Sequence, residues 1–227
     1  MRKFSLKTTL LLLAFLGSST AAFAADPGMA PSDWSGFYLG GNLGMDQGSW
    51  KFTYYDDQVP AGGSKTVSST GLEGGLQAGY NFQVDNFVYG VEGDFQASSL
   101  KSDEQGGFSF DSCGCFDVSL NSFGTLRAKA GVLLDPSILL YATGGLILGD
   151  LSYTAKDSSP KGSATIWAPG LTVGGGAEFL VAPKFSIKAE GLYYNFGSPR
   201  FDLGNTSFNT NLDVSGYIAR VGFNYHF

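Results

Sequence analysis

Residues 217–227 read YIARVGFNYHF. Counting back from Phe227, every second residue is apolar or aromatic: Tyr225, Phe223, Val221, Ala219 and Tyr217. Between them lie His226, Asn224, Gly222 and Arg220. A period of two is a strand with one greasy and one polar face. A strand that ends on an aromatic and carries Arg220 on its polar face suits a barrel that is oily outside and wet inside, the inversion of transmembrane β-barrels.

Working back to the start, Arg2, Lys3 and Lys7 precede an apolar run from Leu10 to Leu16, and Ala22-Phe23-Ala24 is a small-x-small cleavage site. Residues 1–24 therefore read as a signal peptide, too short in its apolar core to span a bilayer as a helix. Residues 25–34 are expected as a short periplasmic segment and 35–227 as one barrel domain. The formal charge is −6, and loss of the three basic leader residues makes it −9. No basic stripe is left to displace counterions, so nucleic acid is not an expected partner. The chain holds 33 Gly, 19 Phe and 11 Tyr. Glycine lets small barrels curve, and aromatics gather at the two membrane interfaces. No long apolar run follows the leader, so any membrane crossing must be made by strands.

Eight alternating segments follow. Strand one is expected over Gly36–Asp46, with Phe37, Leu39, Leu43 and Met45 outward, then a loop over Gln47–Ser68. Strand two, Ser69–Gln83, turns Leu72, Leu76, Ala78, Tyr80 and Phe82 one way and Glu73, Gln77, Asn81 and Gln83 the other. Asp85-Asn86 is a tight turn into strand three, Phe87–Ala97. After a loop over Ser98–Asp117, strand four, Val118–Leu133, sends Leu120, Leu126, Ala128 and Val132 outward and Asn121, Arg127 and Lys129 inward. Asp135-Pro136 leads to strand five, Ile138–Leu151, whose faces are not legible. A loop over Ser152–Ser163 precedes strand six, Ala164–Leu180. Ala182-Pro183 turns into strand seven, Lys184–Phe196, and a loop over Gly197–Asn211 reaches the last strand. Three short turns and four longer loops give an all-β, eight-stranded, antiparallel up-and-down transmembrane barrel, short turns on the periplasmic side.

Nine charges fall on the inward face: Glu73, Glu92, Asp94, Arg127, Lys129, Glu178, Lys188, Glu190 and Arg220. Strands three and four would set Glu92 and Asp94 beside Arg127 and Lys129, and strands seven and eight Glu190 beside Arg220. Exchanging the signs of a pair such as Glu92 and Arg127 is then expected to restore complementarity. An ion-lined channel is one consequence; a filled lumen is the other, since eight strands leave room for little more than side chains. A soluble lipocalin-like barrel would instead place its apolar face inside.

Cys113 and Cys115, in an exposed loop of an exported chain, are expected as a local disulfide, with a free or intermolecular state left open. Two thiols without a nearby His fall short of the about four ligands of a structural zinc, so no metal is assigned. His226, the one His, sits at the periplasmic rim with no nucleophile in evidence, and no catalytic residue is assigned. Asp56-Asp57 and Asp103-Glu104 read as solvated loop carboxylates.

Four stretches carry a resemblance: Trp34–Gly44 (WSGFYLGGNLG), Tyr141–Gly149 (YATGGLILG), Leu171–Gly197 (LTVGGGAEFLVAPKFSIKAEGLYYNFG) and Arg220–Phe227 (RVGFNYHF). The chain resembles the small porin-like outer-membrane proteins of alphaproteobacteria, the surface antigens of twenty-five and thirty-one kilodaltons, which share the OmpA-type eight-stranded barrel. The resemblance implies a cell-outer-membrane protein that stabilises the Gram-negative envelope, contacts lipid and lipopolysaccharide, and meets hosts through its loops. It departs from relatives at the Cys-Gly-Cys loop and at Gly191, where an aromatic is common. It implies that Tyr217, Val221, Phe223, Tyr225 and Phe227 form the signal read by the outer-membrane assembly machinery. No cofactor is called for; haemin, bound by some relatives, would find Tyr54 or Tyr55 as an axial ligand. The peptidoglycan-binding domain of larger relatives is not expected. The resulting expectation is a non-enzymatic structural and surface-interaction barrel, with a haemin or small-ligand barrel and a narrow porin-like channel as alternatives.

Overall fold

Alternating Leu, Val, Phe and Tyr with small or polar residues favours extended backbone, and antiparallel neighbours satisfy every N–H and C=O without water. The computed structural model describes residues 33–56, 59–101, 116–155, 163–197 and 210–227. The leader and most of the 25–34 segment lie outside them, as do Cys113 and Cys115. Eight strands are present: β1 (Gly36–Asp56), β2 (Val59–Val84), β3 (Phe87–Lys101), β4 (Phe116–Asp135), β5 (Ile138–Ala155), β6 (Ser163–Ala182), β7 (Phe185–Gly197) and β8 (Thr210–His226). Each pairs antiparallel with the next, and β1 pairs with β8 from Tyr38↔His226 to Tyr54↔Thr210, closing the barrel.

The apolar residues are outside. Leu43 is 70% exposed, Leu76 69% and Phe227 67%, whereas Arg127 is 1% and Glu178 0% exposed. A soluble barrel would not leave this band of Leu, Val, Phe and Tyr uncovered, so the lipocalin-like alternative is overturned. The three short turns fall at one end. Asp85 adopts φ +53° in the first, and Leu133 N–H donates to Asn86 O at 2.8 Å between neighbouring hairpins.

Two expectations about the strands need correction. The loop expected over Gln47–Ser68 is mostly strand: β1 and β2 stay paired to Asp56↔Val59. Likewise β4 begins at Phe116, β5 runs to Ala155, and β8 starts at Thr210 rather than Tyr217. The physical reason is a change of side. Near the membrane the apolar residues face out, but farther along Trp50, Leu100, Leu151 and Val214 face in and are buried. Leu120 was expected outward with Asn121 inward; the structure buries Leu120 and exposes Asn121. A β-bulge between Leu120 and Ser122 shifts the alternation by one residue.

Candidate functional site

The bore is filled in three layers. At the turn end Trp34, Val88, Leu139 and Tyr141 form an apolar plug, with Leu133 and Leu180 packed on it. Trp34 is pinned there: its backbone N–H donates to Gln83 Oε1 at 2.8 Å and its indole N–H to Pro136 O at 3.0 Å. At the opposite end a larger cluster includes Trp50, Leu100, Phe123, Tyr194, Phe196 and Ile218. Between the plugs lies a charge layer.

Strand register builds that layer. Glu92 pairs with Arg127 across β3–β4, and Glu190 with Arg220 across β7–β8. Arg127 then serves three carboxylates: Glu92 through its closest contact, Asp94 at 2.8 Å and Glu190 at 3.0 Å. Arg220 reaches Glu190 at 2.7 Å, Asp94 at 3.0 Å and Glu92 at 3.8 Å. Lys188, opposite Glu178 in register, instead crosses the bore to Glu92 at 2.8 Å. A β3 carboxylate meeting a β7 ammonium shows how narrow the bore is. Tyr38 donates to Glu92 at 2.8 Å, Tyr141 to Glu190 at 3.1 Å and Thr125 to Asp94 at 2.7 Å. Glycine lets these groups approach: a Cβ on Gly44 would lie 2.6 Å from Arg220 Cβ and 2.7 Å from Glu73 Oε1.

Eight of the nine inward charges join ion pairs, with one change of partner. Lys129, expected beside Glu92 and Asp94, lies opposite Gly90. Its ammonium is 3.4 Å from Glu178 and sits between the rings of Tyr38 (4.9 Å) and Tyr141 (5.1 Å), a cation–π arrangement. Glu178 also accepts from Ser186 at 2.6 Å and Asn224 at 2.7 Å. An amide chain continues from there: Gln77 donates to Asn224 at 2.6 Å and Asn42 to Gln77 at 2.9 Å. The alternation had already placed Gln77 and Asn224 on the polar faces of their strands, where they are buried; Asn42 on β1 is the member it did not single out.

Glu73 is the ninth. It is 3% exposed, and neither carboxylate oxygen has a hydrogen-bond partner. Asp46, placed by the sequence reading at the end of strand one, is a further buried carboxylate that accepts from Tyr194 at 2.9 Å. Among the described residues the buried charges are therefore Asp46, Glu73, Glu92, Asp94, Glu178 and Glu190 against Arg127, Lys129, Lys188 and Arg220. Negative charge is in surplus, and Glu73 sits at the surplus. Glu73→Gln is accordingly expected to leave the unfolding midpoint in detergent unchanged or raised; a loss on the scale of a broken buried pair, about 3–5 kcal/mol, would show that Glu73 has a cationic partner.

His226 lies in the turn-end plug, 5.8 Å from the ring of Trp34 and 5.6 Å from Tyr38. Its Nε2 is 3.0 Å from Ser186 Oγ and 3.6 Å from Glu178 Oε1. These three types also make a hydrolytic triad, but there the carboxylate holds Nδ1 and the hydroxyl meets Nε2. Here both approach Nε2, and the hydroxyl donates to the carboxylate, an arrangement that gives no activated nucleophile. Among the described residues no three His, Cys, Asp or Glu side chains form a metal cage. The side chains of Tyr54 and Tyr55 lie outside the described residues. Tyr217, Val221, Phe223 and Phe227 share the exposed face of the terminal segment, where Tyr225 meets Phe185 and Phe227 edge to face, ring centroids 5.1 Å apart in both pairs.

Comparison with known proteins agrees with this geometry. Residues 8–227 match the family model of the outer membrane protein beta-barrel domain. The 31 kDa outer-membrane immunogenic protein of Brucella melitensis biotype 1 is 34% identical over 230 residues, covering 92% of this chain and 95% of its own. The 22 kDa outer membrane protein of Rhizobium leguminosarum bv. viciae is 31% identical, with 83% and 77% covered. The 25 kDa outer-membrane immunogenic protein of the same Brucella strain is 29% identical, with 94% of each covered. Among solved structures, the outer membrane protease OmpT of Escherichia coli aligns with a TM-score of 0.51 at 11% identity, over 88% of this chain and 99% of that one; this is a likeness of fold alone. An apolar exterior, a charged interior, eight closed strands and these relatives place the chain in the outer membrane, and it belongs to the outer membrane β-barrel family, within its alphaproteobacterial group of 25 and 31 kDa outer-membrane immunogenic proteins.

Proposed function

We propose that this barrel is a sealed, non-enzymatic element of the outer membrane, stabilising the envelope and presenting its outer end as a contact surface. The observation that carries this reading is the filled bore. Each ion must cross two apolar plugs and a layer in which Arg127 and Arg220 are each held by three carboxylates. Such buried networks fix a conformation and do not offer a wet path. The strands that continue past the apolar band lift the hairpins away from the bilayer, where other molecules reach them. Relatives described as immunogenic support exposure of that end to a host, and the alternating aromatic terminus supports recognition by the outer-membrane assembly machinery.

The test is reconstitution of the mature barrel into planar bilayers, with haemin titrated in parallel. The expected result is no steady conductance and no saturable haemin absorbance change. A reproducible ohmic step would replace the sealed barrel by a narrow channel. Saturable haemin binding lost on Tyr54→Phe with Tyr55→Phe would replace it by a ligand-binding barrel.

A further inference from the structure

The outward face of β7, β8 and β1 is not evenly bulky. Elsewhere in the apolar band Leu72, Leu76, Phe95, Leu126, Leu146 and Leu171 stand out from the wall. Here Ala189, Gly191 and Ala219 leave a hollow of about 580 Å³, rimmed by Leu43, Met45 and Val221. Gly191 faces Ala219 across β7–β8, and Ala219 faces Met45 across β8–β1. A Cβ placed on Gly191 would meet nothing within 4 Å. The hollow opens on hydrocarbon, so its occupant must be apolar where it fills it.

A second feature stands in line with it. Lys184, at the turn into β7, holds its ammonium 5.7 Å from the ring of Tyr225 on the outer wall. Among the described residues it is the one exposed Lys or Arg at the turn end, where Asp33, Asp85 and Asp135 are also exposed. From Phe185 to Gly191 is six residues of strand, about 20 Å. At the usual barrel tilt that is about 15 Å of depth, half of a hydrocarbon core of about 30 Å. An anion at Lys184 and a hollow at the midplane are thus one leaflet apart. Short turns face the periplasm, so the leaflet is the inner one.

We propose that Lys184 and this hollow together hold one diacyl glycerophospholipid of the inner leaflet, its phosphate at Lys184 and one acyl chain running over the exposed Ile187 and Phe223 into the hollow at Gly191. A second copy of the barrel would fill the hollow with side chains but would have no use for the ammonium. Lipopolysaccharide enters from the opposite leaflet, with its phosphates at the far end from Lys184. Among the described residues, exposed Asp33, Asp85 and Asp135 repel a phosphate elsewhere around this end, which favours the place beside Lys184.

The test is native mass spectrometry of the mature barrel in detergent micelles, titrated with palmitoyl-oleoyl phosphatidylglycerol. The wild type is expected to saturate at one bound lipid. Lys184→Glu is expected to weaken half-saturation by at least about fivefold, the equivalent of about 1 kcal/mol for one surface cation. Gly191→Phe fills the hollow and is expected to weaken it comparably, while both variants keep the heat-modifiable folded form. Lys184→Glu gives up only an exposed contact with the Tyr225 ring and leaves the strand pairing intact, so it carries the test even if Gly191→Phe does not fold. Equal binding by wild type and Lys184→Glu overturns the proposal. So does retention of lipopolysaccharide in place of the phospholipid, or a dimer that Gly191→Phe abolishes.

Discussion

Arg127→Glu is expected to lower the unfolding midpoint in detergent steeply, by the equivalent of about 3–5 kcal/mol or more, the cost of breaking a buried pair. The guanidinium touches Glu92, Asp94 and Glu190 and is itself 1% exposed. A carboxylate at position 127 removes a positive charge from three neighbours and adds a fourth negative charge among them. A simple ion pair would be rescued by the opposite change, yet adding Glu92→Arg is expected not to restore the midpoint. Glu92 also meets Lys188 at 2.8 Å and Arg220 at 3.8 Å. An arginine at position 92 would therefore be set against two cations, while the new carboxylate at 127 faced Asp94 and Glu190. Recovery in the double variant would reduce the network to independent pairs. A channel wall predicts something different again: a small change in midpoint with a large change in current, readable on the same samples.

Phe227→Ser is expected to reduce the amount of inserted, heat-modifiable protein in cells severalfold, with the remainder held in the periplasm. The same variant refolded in detergent is expected to lose only about 1 kcal/mol, the scale of one aromatic contact. The two numbers separate because Phe227 contributes little to the finished barrel. Its side chain is 67% exposed and touches Phe37 at 5.5 Å and Tyr225 at 5.1 Å. The bond from its backbone N–H to Phe37 O at 3.1 Å survives the substitution. A large cellular effect with a small effect in detergent assigns the residue to recognition during insertion. Equal cellular levels would remove it from the assembly signal, and a large loss in detergent would make it a structural residue.

The membrane-facing half of this barrel was legible because lipid enforces one rule on every strand. Leu39, Leu43, Tyr80, Val91, Ile187 and Phe223 must face out, and the charges between them must face in. Where the lipid stops, so does the rule. Trp50 and Val214 then point inward on the same strands whose apolar residues had pointed outward, and a reader following one face sees only a loop. Leu120 was misplaced for a different reason: the bulge between Leu120 and Ser122 shifts the phase of the period-two pattern, so a face followed back from Leu126 without that shift changes sides before Leu120. The site was half legible. Charge balance and register could pair Glu92 with Arg127 and Glu190 with Arg220, since neighbours across a ladder follow from turn positions. Contacts across the bore, such as Lys188 with Glu92, depend on the width of the closed cylinder and on long flexible side chains, neither of which is local in sequence.

The pairing of β1 with β8 bears on how the cell makes this protein. β1 finds its second partner only when β8 docks on it, so until the barrel closes both of these strands present an open edge. A chain without β8 has neither the seam nor the terminal aromatic, and it leaves the ladder of β1 unpaired on one side. Closure is thus all-or-none: the wall has no free edge only when β1 and β8 are both in place.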